Sequence, residues 1–430
     1  MTDFLTRVLG PGTLRRSAAR PPEGSGGSSP QTTTRSGAPI GQWAFAGVAV
    51  VSLGGPLALA ALNAPFIVAG ANSSAGLAMV AAAVAFGVPL WIWFSYAREV
   101  SGAGGLYSFT EAAAGRRVAL VQAGLWIISY LLYVLYTTAQ IVYDTLPAVL
   151  PGEQRYQTVL EIVIPIALAA VMIAGRTVSL LVIGLLAVGQ LAIGAVLAGL
   201  TVANVATPAS TFGGSAPAGS LAIASGQMGL LYICGSLPFF LGGDLTSAPG
   251  ARQSASRRFP VISRGLIGAY LATVVIIIAC VAPLAGHPSF TQAPVPGMAI
   301  AQQFAGHGFA LTVGIGVVAS IAGVMLVEYL ALSRLLSAVT RWPLRRILIG
   351  IGVAMIAFAP VILISPDQIY DDLITPSLVA LWLSQLIVFA VYPRFATKHG
   401  RRAVPAWVLA LAASAFALYG LWTAIQNAQT

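Results

Sequence analysis

Charge is scarce in this chain: of 430 residues only 8% are charged, three are histidine (His287, His307, His399) and two are cysteine (Cys234, Cys280). Each shortage excludes something. Both cysteines fall inside apolar runs, which supports neither a disulfide framework nor a cysteine metal site. The histidines lie in loops or at the ends of apolar runs, and no HExxH, GxxxxGK[ST] or CxxC pattern occurs, so the common soluble-enzyme and metal motifs are missing. Without an ATP-binding loop the chain cannot pump by hydrolysis on its own. The acidic residues in or near apolar runs stand singly, at Asp144, Glu161, Asp244 and Glu328, whereas a membrane-embedded hydrolase needs ionisable groups gathered at one depth. No enzyme activity, cofactor or bound metal is expected.

What is present is apolar. With 57% hydrophobic residues in runs near twenty long, the chain reads as an all-α integral membrane protein. About eleven spans are expected, at 43–70, 75–97, 118–146, 158–175, 177–203, 221–246, 262–285, 308–334, 346–365, 370–392 and 403–426. Residues 1–40 are rich in Arg, Ser, Gly, Pro and Thr and lack the apolar h-region of a signal peptide; they read as a disordered basic cytoplasmic tail.

The net charge of +10 does not point to nucleic acid, because of where it sits. If the N-terminus is cytoplasmic, 21 of the 22 basic residues fall on the inner side and Arg155 alone falls outside. That asymmetry is the positive-inside rule, and one missed or invented span would scramble it. The basic charge therefore reads as orientation, with anionic inner-leaflet lipid as a partner. An odd span count places the C-terminus outside.

Two spans are interrupted near their middles. The first contains Ser52-Leu53-Gly54-Gly55-Pro56 and the sixth Cys234-Gly235-Ser236-Leu237-Pro238. Paired interruptions in corresponding spans are the best sequence pointer to a midplane binding site. In the first span a half-helix starting near Pro56 would turn its N–H groups and positive dipole end to the midplane, with Gly54, Gly55 and Leu57 as donors for a carboxylate. In the sixth, a half-helix ending at Cys234 would leave the carbonyls of Tyr232, Ile233 and Cys234 facing an ammonium. Together these polarities describe an α-amino acid better than a sugar. Ordinary glycine and proline kinks are the bland alternative.

Three further segments carry a resemblance. Residues Ser101-Gly102-Ala103-Gly104-Gly105-Leu106-Tyr107-Ser108-Phe109 with Gly115-Arg116 follow the second span. Arg257-Arg258-Phe259-Pro260-Val261-Ile262 precede the seventh, and Ser333-Arg334-Leu335-Leu336-Ser337-Ala338 close the eighth. In this order the chain resembles the amino acid, polyamine and organocation permease superfamily over residues 43–395. The resemblance implies a 5+5 inverted-repeat transporter core at 41–395 with discontinuous helices 1 and 6, and a terminal helix with its short tail at 396–430. It implies secondary active transport by alternating access. The chain departs from the family in showing eleven spans rather than twelve, and its fifth span lacks the lysine that some proton-coupled members carry.

Within the third span Trp126, Tyr130, Tyr133, Thr137, Gln140 and Asp144 recur at spacings of three and four, on one helical face. Such a stripe either lines a path, with Tyr130 or Tyr133 touching solute, or packs against neighbouring helices. Asp144, near the outer surface, reads as solvated, and Asp244 as a gate residue at the inner side. Glu328 lies well inside the eighth span, where a carboxylate costs about 2.5–3.5 kcal/mol on insertion scales. It must be paired or protonated: structural pairing with an inner basic group, Arg334 being only six residues on, is favoured over a proton-coupling role. Ser320 and Ser333 are the candidates should sodium be the coupling ion.

The expected solute is a neutral amino acid, contacted by Ser52, Gly54, Gly55, Tyr130, Tyr133, Tyr232, Cys234, Gly235 and Ser236. An organic amine or polyamine is the alternative, and a non-transporting sensor or scaffold the opposing class. Oligomeric state is left open.

Overall fold

In a computed structural model the described residues are 40–69, 74–100, 102–152, 156–205, 212, 217–245 and 254–427. The expected tail, apart from Ile40, lies outside them, as does Arg155. Every regular element among them is helical. Ten described helices are long and apolar enough to cross a bilayer, and the remaining expected span, the fourth, is the apolar helix Gln157–Ile173 of 17 residues. At 1.5 Å per residue it is about 25 Å long, at the short end for a crossing helix.

The candidate spans, with that shorter helix in fourth place, are Gln42–Ile67, Ala75–Glu99, Arg116–Val149, Gln157–Ile173, Arg176–Asn204, Gly219–Leu245, Phe259–Leu284, His307–Thr340, Leu344–Ile364, Asp371–Lys398 and Ala403–Gln426. Gly175, with φ 113°, separates the fourth from the fifth. Between the second and third spans a short helix, Leu106–Ala114, lies at one end of the bundle; Pro296–Ala305 leads into the eighth span at the other. Residues Ala38–Thr430 form one compact unit.

Lipid is as apolar as leucine, so helices in a bilayer are held by close packing and internal hydrogen bonds rather than by exclusion from water. The first span shows this. Its first half, Gln42–Ser52, lies between the fifth and seventh spans, and a Cβ on Gly47 would stand 3.1 Å from the Cα of Gly184 in the fifth. The third span packs along the tenth, and the tenth against the eleventh. Outward-turned Val84, Leu185, Val188, Val275 and Leu411 are exposed, as a lipid-facing surface requires. The polar side chains at 0% exposure, Ser52, Glu161, Ser236, Ser320, Glu328, Ser384 and Gln385 among them, point inward instead.

Candidate functional site

The first span breaks where its glycines allow it. The helix ends at Ser52, Gly54 and Gly55 adopt φ 80° and 70°, and helix resumes at Pro56. Left-handed geometry costs an L-residue with a side chain about 1–2 kcal/mol, so two adjacent glycines make this turn almost free. Beyond it a π-helical segment, Leu59–Asn63, widens the helix before Ala64–Ala69. The donors nominated from sequence are partly engaged: the Gly55 N–H donates to Val51 O at 3.1 Å. The Ala58 N–H donates to Ser320 Oγ at 3.2 Å, and that hydroxyl donates to Gln190 Oε1 at 2.8 Å. One serine of the eighth span thus joins the restarted first span to the fifth.

The sixth span behaves differently. Its α-helix, Ala218–Leu231, stops at Tyr232, and residues Ile233–Leu245 continue as a 3-10 helix. The expected open carbonyls are not there: Tyr232 O accepts from the Gly235 N–H at 2.9 Å, and Ile233 and Cys234 belong to the 3-10 segment. A 3-10 helix pairs each carbonyl with the N–H three residues on, so the chain narrows instead of unwinding.

A cavity of about 500 Å³ reaches the first break from one end of the bundle. The first span contributes Gly54, Leu59, Asn63, Phe66 and Ile67, and the third Tyr133, Tyr136 and Gln140. The sixth adds Gln227, Ile233 and Cys234, and the tenth Ile374, Leu378 and Leu381. No charged side chain is among them. Of the nine nominated residues, Gly54, Tyr133 and Cys234 line this space. Gly55 is turned toward Ser320 and Val324. Ser52 Oγ donates back to Ala49 O, Ser236 Oγ accepts from Gln385 Nε2 at 3.4 Å, and Gly235 packs beside Leu53 and Phe86. Tyr232 is fully buried against Phe86 and Tyr270.

Tyr130 lies just beneath the cavity, donating to Cys234 Sγ at 3.8 Å and stacked on Trp126 at 3.8 Å, with Trp126 in turn 4.6 Å from the Phe240 ring. Sequence reasoning missed Asn63, Phe66, Tyr136, Gln227 and Leu381. Asn63 and Gln227 were detectable as lone amides in apolar runs; Tyr136 was not, because it lies off the stripe. The stripe itself ends early. A π-helical segment, Gln140–Thr145, adds a residue to the turn, so Gln140 faces the cavity while Asp144 is exposed. Thr137 Oγ1 donates to Tyr133 O within its own helix.

The end opposite the cavity is sealed. Arg334 grips Asp244 through both its terminal nitrogens, at 2.6 and 3.1 Å, with Arg176 3.9 Å away, and the Ile40 N–H donates to Asp244 O at 3.1 Å. Gly105, at φ 51°, lets its backbone approach so closely that a Cβ would fall 2.6 Å from the Phe240 ring. Around this end Tyr96 stacks on Phe109 at 5.1 Å, and Phe239 meets Phe109, Trp93 and Phe94 edge-on.

The favoured Glu328–Arg334 pair does not form. Residues six apart on an α-helix lie about 240° around the axis from each other, and Asp244 takes the guanidinium. Glu328 is completely buried, and neither carboxylate oxygen has a hydrogen-bond partner among the described residues. Ser333, the second sodium candidate, donates to Leu330 O in its own helix.

No family model matches this sequence, and no curated protein does. Solved structures do. A manganese transporter from Eremococcus coleocola superposes with a TM-score of 0.64 at 12% identity, covering 92% of this chain and 91% of that one. Mhp1, a nucleobase-cation-symport-1 family transporter bound to bromovinylhydantoin, gives 0.58 at 16% identity over 92% and 94%. MhsT in complex with L-phenylalanine gives 0.59 at 12% identity over 89% and 98%. At these identities the likeness is one of fold: this chain is a multi-pass membrane protein with the inverted-repeat architecture of those transporters.

Proposed function

We propose that this protein is a secondary active transporter of the amino acid, polyamine and organocation type, moving a small neutral amino acid by alternating access. The observation that carries this reading is the asymmetry of the bundle. A cavity of about 500 Å³ reaches the first break from one end, while the Asp244–Arg334 pair closes the other end of the same helices. That volume is within the range of small-molecule sites and suits one amino acid. The lining supplies amides, two tyrosine hydroxyls and a thiol but no fixed charge, which favours an uncharged side chain. With the basic residues assigned to the cytoplasm, the cavity opens outward, the N-terminus lies inside and the C-terminus outside.

An organic amine is the second reading, favoured by the unpaired Glu328 below the cavity floor. Manganese is not proposed as cargo: the described residues contain no group of three His, Cys, Asp or Glu side chains able to hold a metal ion.

The test is uptake of labelled amino acids and amines into proteoliposomes under imposed proton or sodium gradients and with internal exchange solute. One compound should accumulate, and Gln140→Leu and Gly54→Leu should reduce its uptake in protein that remains folded. No flux of any compound under any gradient would favour a sensor or scaffold.

A further inference from the structure

We infer that Glu328 is a proton carrier: it takes a proton from the cavity side and releases it at the sealed side, so that solute moves together with a proton. This deepens the transport reading and rests on it.

Position is the first ground. Gly55 at the first break faces Ser320 and Val324, and Glu328 lies one helical turn, about 6 Å, beyond Val324 toward the sealed end. It is therefore beneath the cavity floor and above the Asp244–Arg334 lock. Charge is the second. A buried carboxylate without partner or counter-ion at this depth is held neutral by a proton. Arg334, the nearest base on its own helix, is committed to Asp244.

The groups around it supply the path. From the elements packed against the eighth span, Tyr130 of the third and Cys234 of the sixth interact electrostatically with Glu328. Cys234 lines the cavity, and Tyr130 donates to its sulfur. The other charged groups on the elements packed against it are placed elsewhere: Arg176, Asp244 and Arg334 gather in the seal, Glu161 of the fourth span acts on Tyr143, and Arg116, Arg117, Asp144, Arg345 and Arg346 are exposed. In the state open at the cavity an O–H bond forms on the carboxylate as a hydronium ion in the cavity gives up its proton and returns to water. When the seal parts, that bond breaks and the proton passes to water on the other side. No other reactant is required.

The proton itself is the first probe. Infrared difference spectra of the reconstituted full chain, taken between acid and alkaline buffer, should show the carbonyl stretch of a protonated carboxylic acid appearing and disappearing. One component of that band should be lost in Glu328→Gln and kept in Glu161→Gln, which removes the component of the other fully buried carboxylate. With a compound found by the uptake panel, a one-unit pH gradient should support about tenfold accumulation at one proton per solute. Glu328→Gln should hold that ratio at one while exchange of labelled for unlabelled compound continues, and Glu328→Asp should restore accumulation with a shifted pH profile. An unchanged band or unchanged accumulation in Glu328→Gln overturns the proposal. So does loss of exchange together with accumulation, which would make the carboxylate a solute ligand. If no compound moves, the transport reading fails, and the infrared band still decides whether Glu328 exchanges a proton.

Discussion

The two interrupted spans are written in the same residues, glycine, proline and serine, yet they break in different ways. In the first span the chain turns through two left-handed glycines and restarts against Ser320, so its backbone is fixed by conformation and by a hydrogen bond to another span. In the sixth span Gly235 is not left-handed; the α-helix stops at Tyr232 and a 3-10 arm runs to Leu245, held at its far end by Arg334 and by the Ile40 N–H. The first is a fixed corner, and the second is an arm held at its tip. Of the two, the arm is the element suited to move, since 3-10 hydrogen bonds are weaker than α-helical ones and its anchor is an ion pair at the bundle end.

The strongest challenge to this contrast is Gly55→Ala. A left-handed alanine costs about 1–2 kcal/mol, and overpacking against the Ser320 carbonyl, 3.1 Å from the added Cβ, costs about 1–3 kcal/mol. Loss of most uptake and a clear fall in unfolding temperature are expected; a variant that behaves as wild type would show that the corner is soft. Next in size is Asp244→Asn, which leaves Arg334 and Arg176 without their carboxylate. Breaking such a half-buried network should shift the balance toward a form open at the sealed end by about 2 kcal/mol, below the 3–5 kcal/mol of a fully buried pair. Labelling of Cys234 by an impermeant thiol reagent added on the cavity side should then fall several-fold, and unchanged labelling would mean that the arm is held elsewhere.

Ser320→Ala should cost about 1–2 kcal/mol by leaving the Ala58 N–H and Gln190 unpaired, read as a lowered melting temperature. Gly235→Ala should be the mildest, within about 1 kcal/mol, because the added Cβ crowds the end of the Leu53 side chain at 2.9 Å, which can turn aside, and meets the Phe86 ring at an ordinary 3.4 Å. A loss as large as that of Gly55→Ala would erase the distinction between corner and arm.

The spans were legible because hydropathy and arginine placement constrain each other, and the Gly54-Gly55 break because only glycine enters that region freely. The winding of the sixth span was not legible. Cys-Gly-Ser-Leu-Pro marks a weak helix, but nothing in it separates an open break from a 3-10 arm, and the arm's contacts, Phe240 on Gly105 and Gly242 beside Gly102, are distant in sequence. The Glu328–Arg334 expectation failed for an angular reason that spacing alone could have exposed. Asp144 left the stripe because a π turn changed the register ahead of it, and no residue type announces such a turn. Ser52 and Ser333 look like ligands in a sequence; in the fold each spends its hydroxyl on its own helix.

The rings gathered at the sealed end give the protein a thermal character. Parting Phe239 and Phe240 from Trp93, Phe109 and Trp126 would wet aromatic surface, and wetting apolar area raises the heat capacity. Under the proposed alternating access, the two states would then differ in heat capacity as well as in shape. Their balance should bend with temperature, and a plot of log rate against inverse temperature should be curved even when the lipid around the protein undergoes no transition.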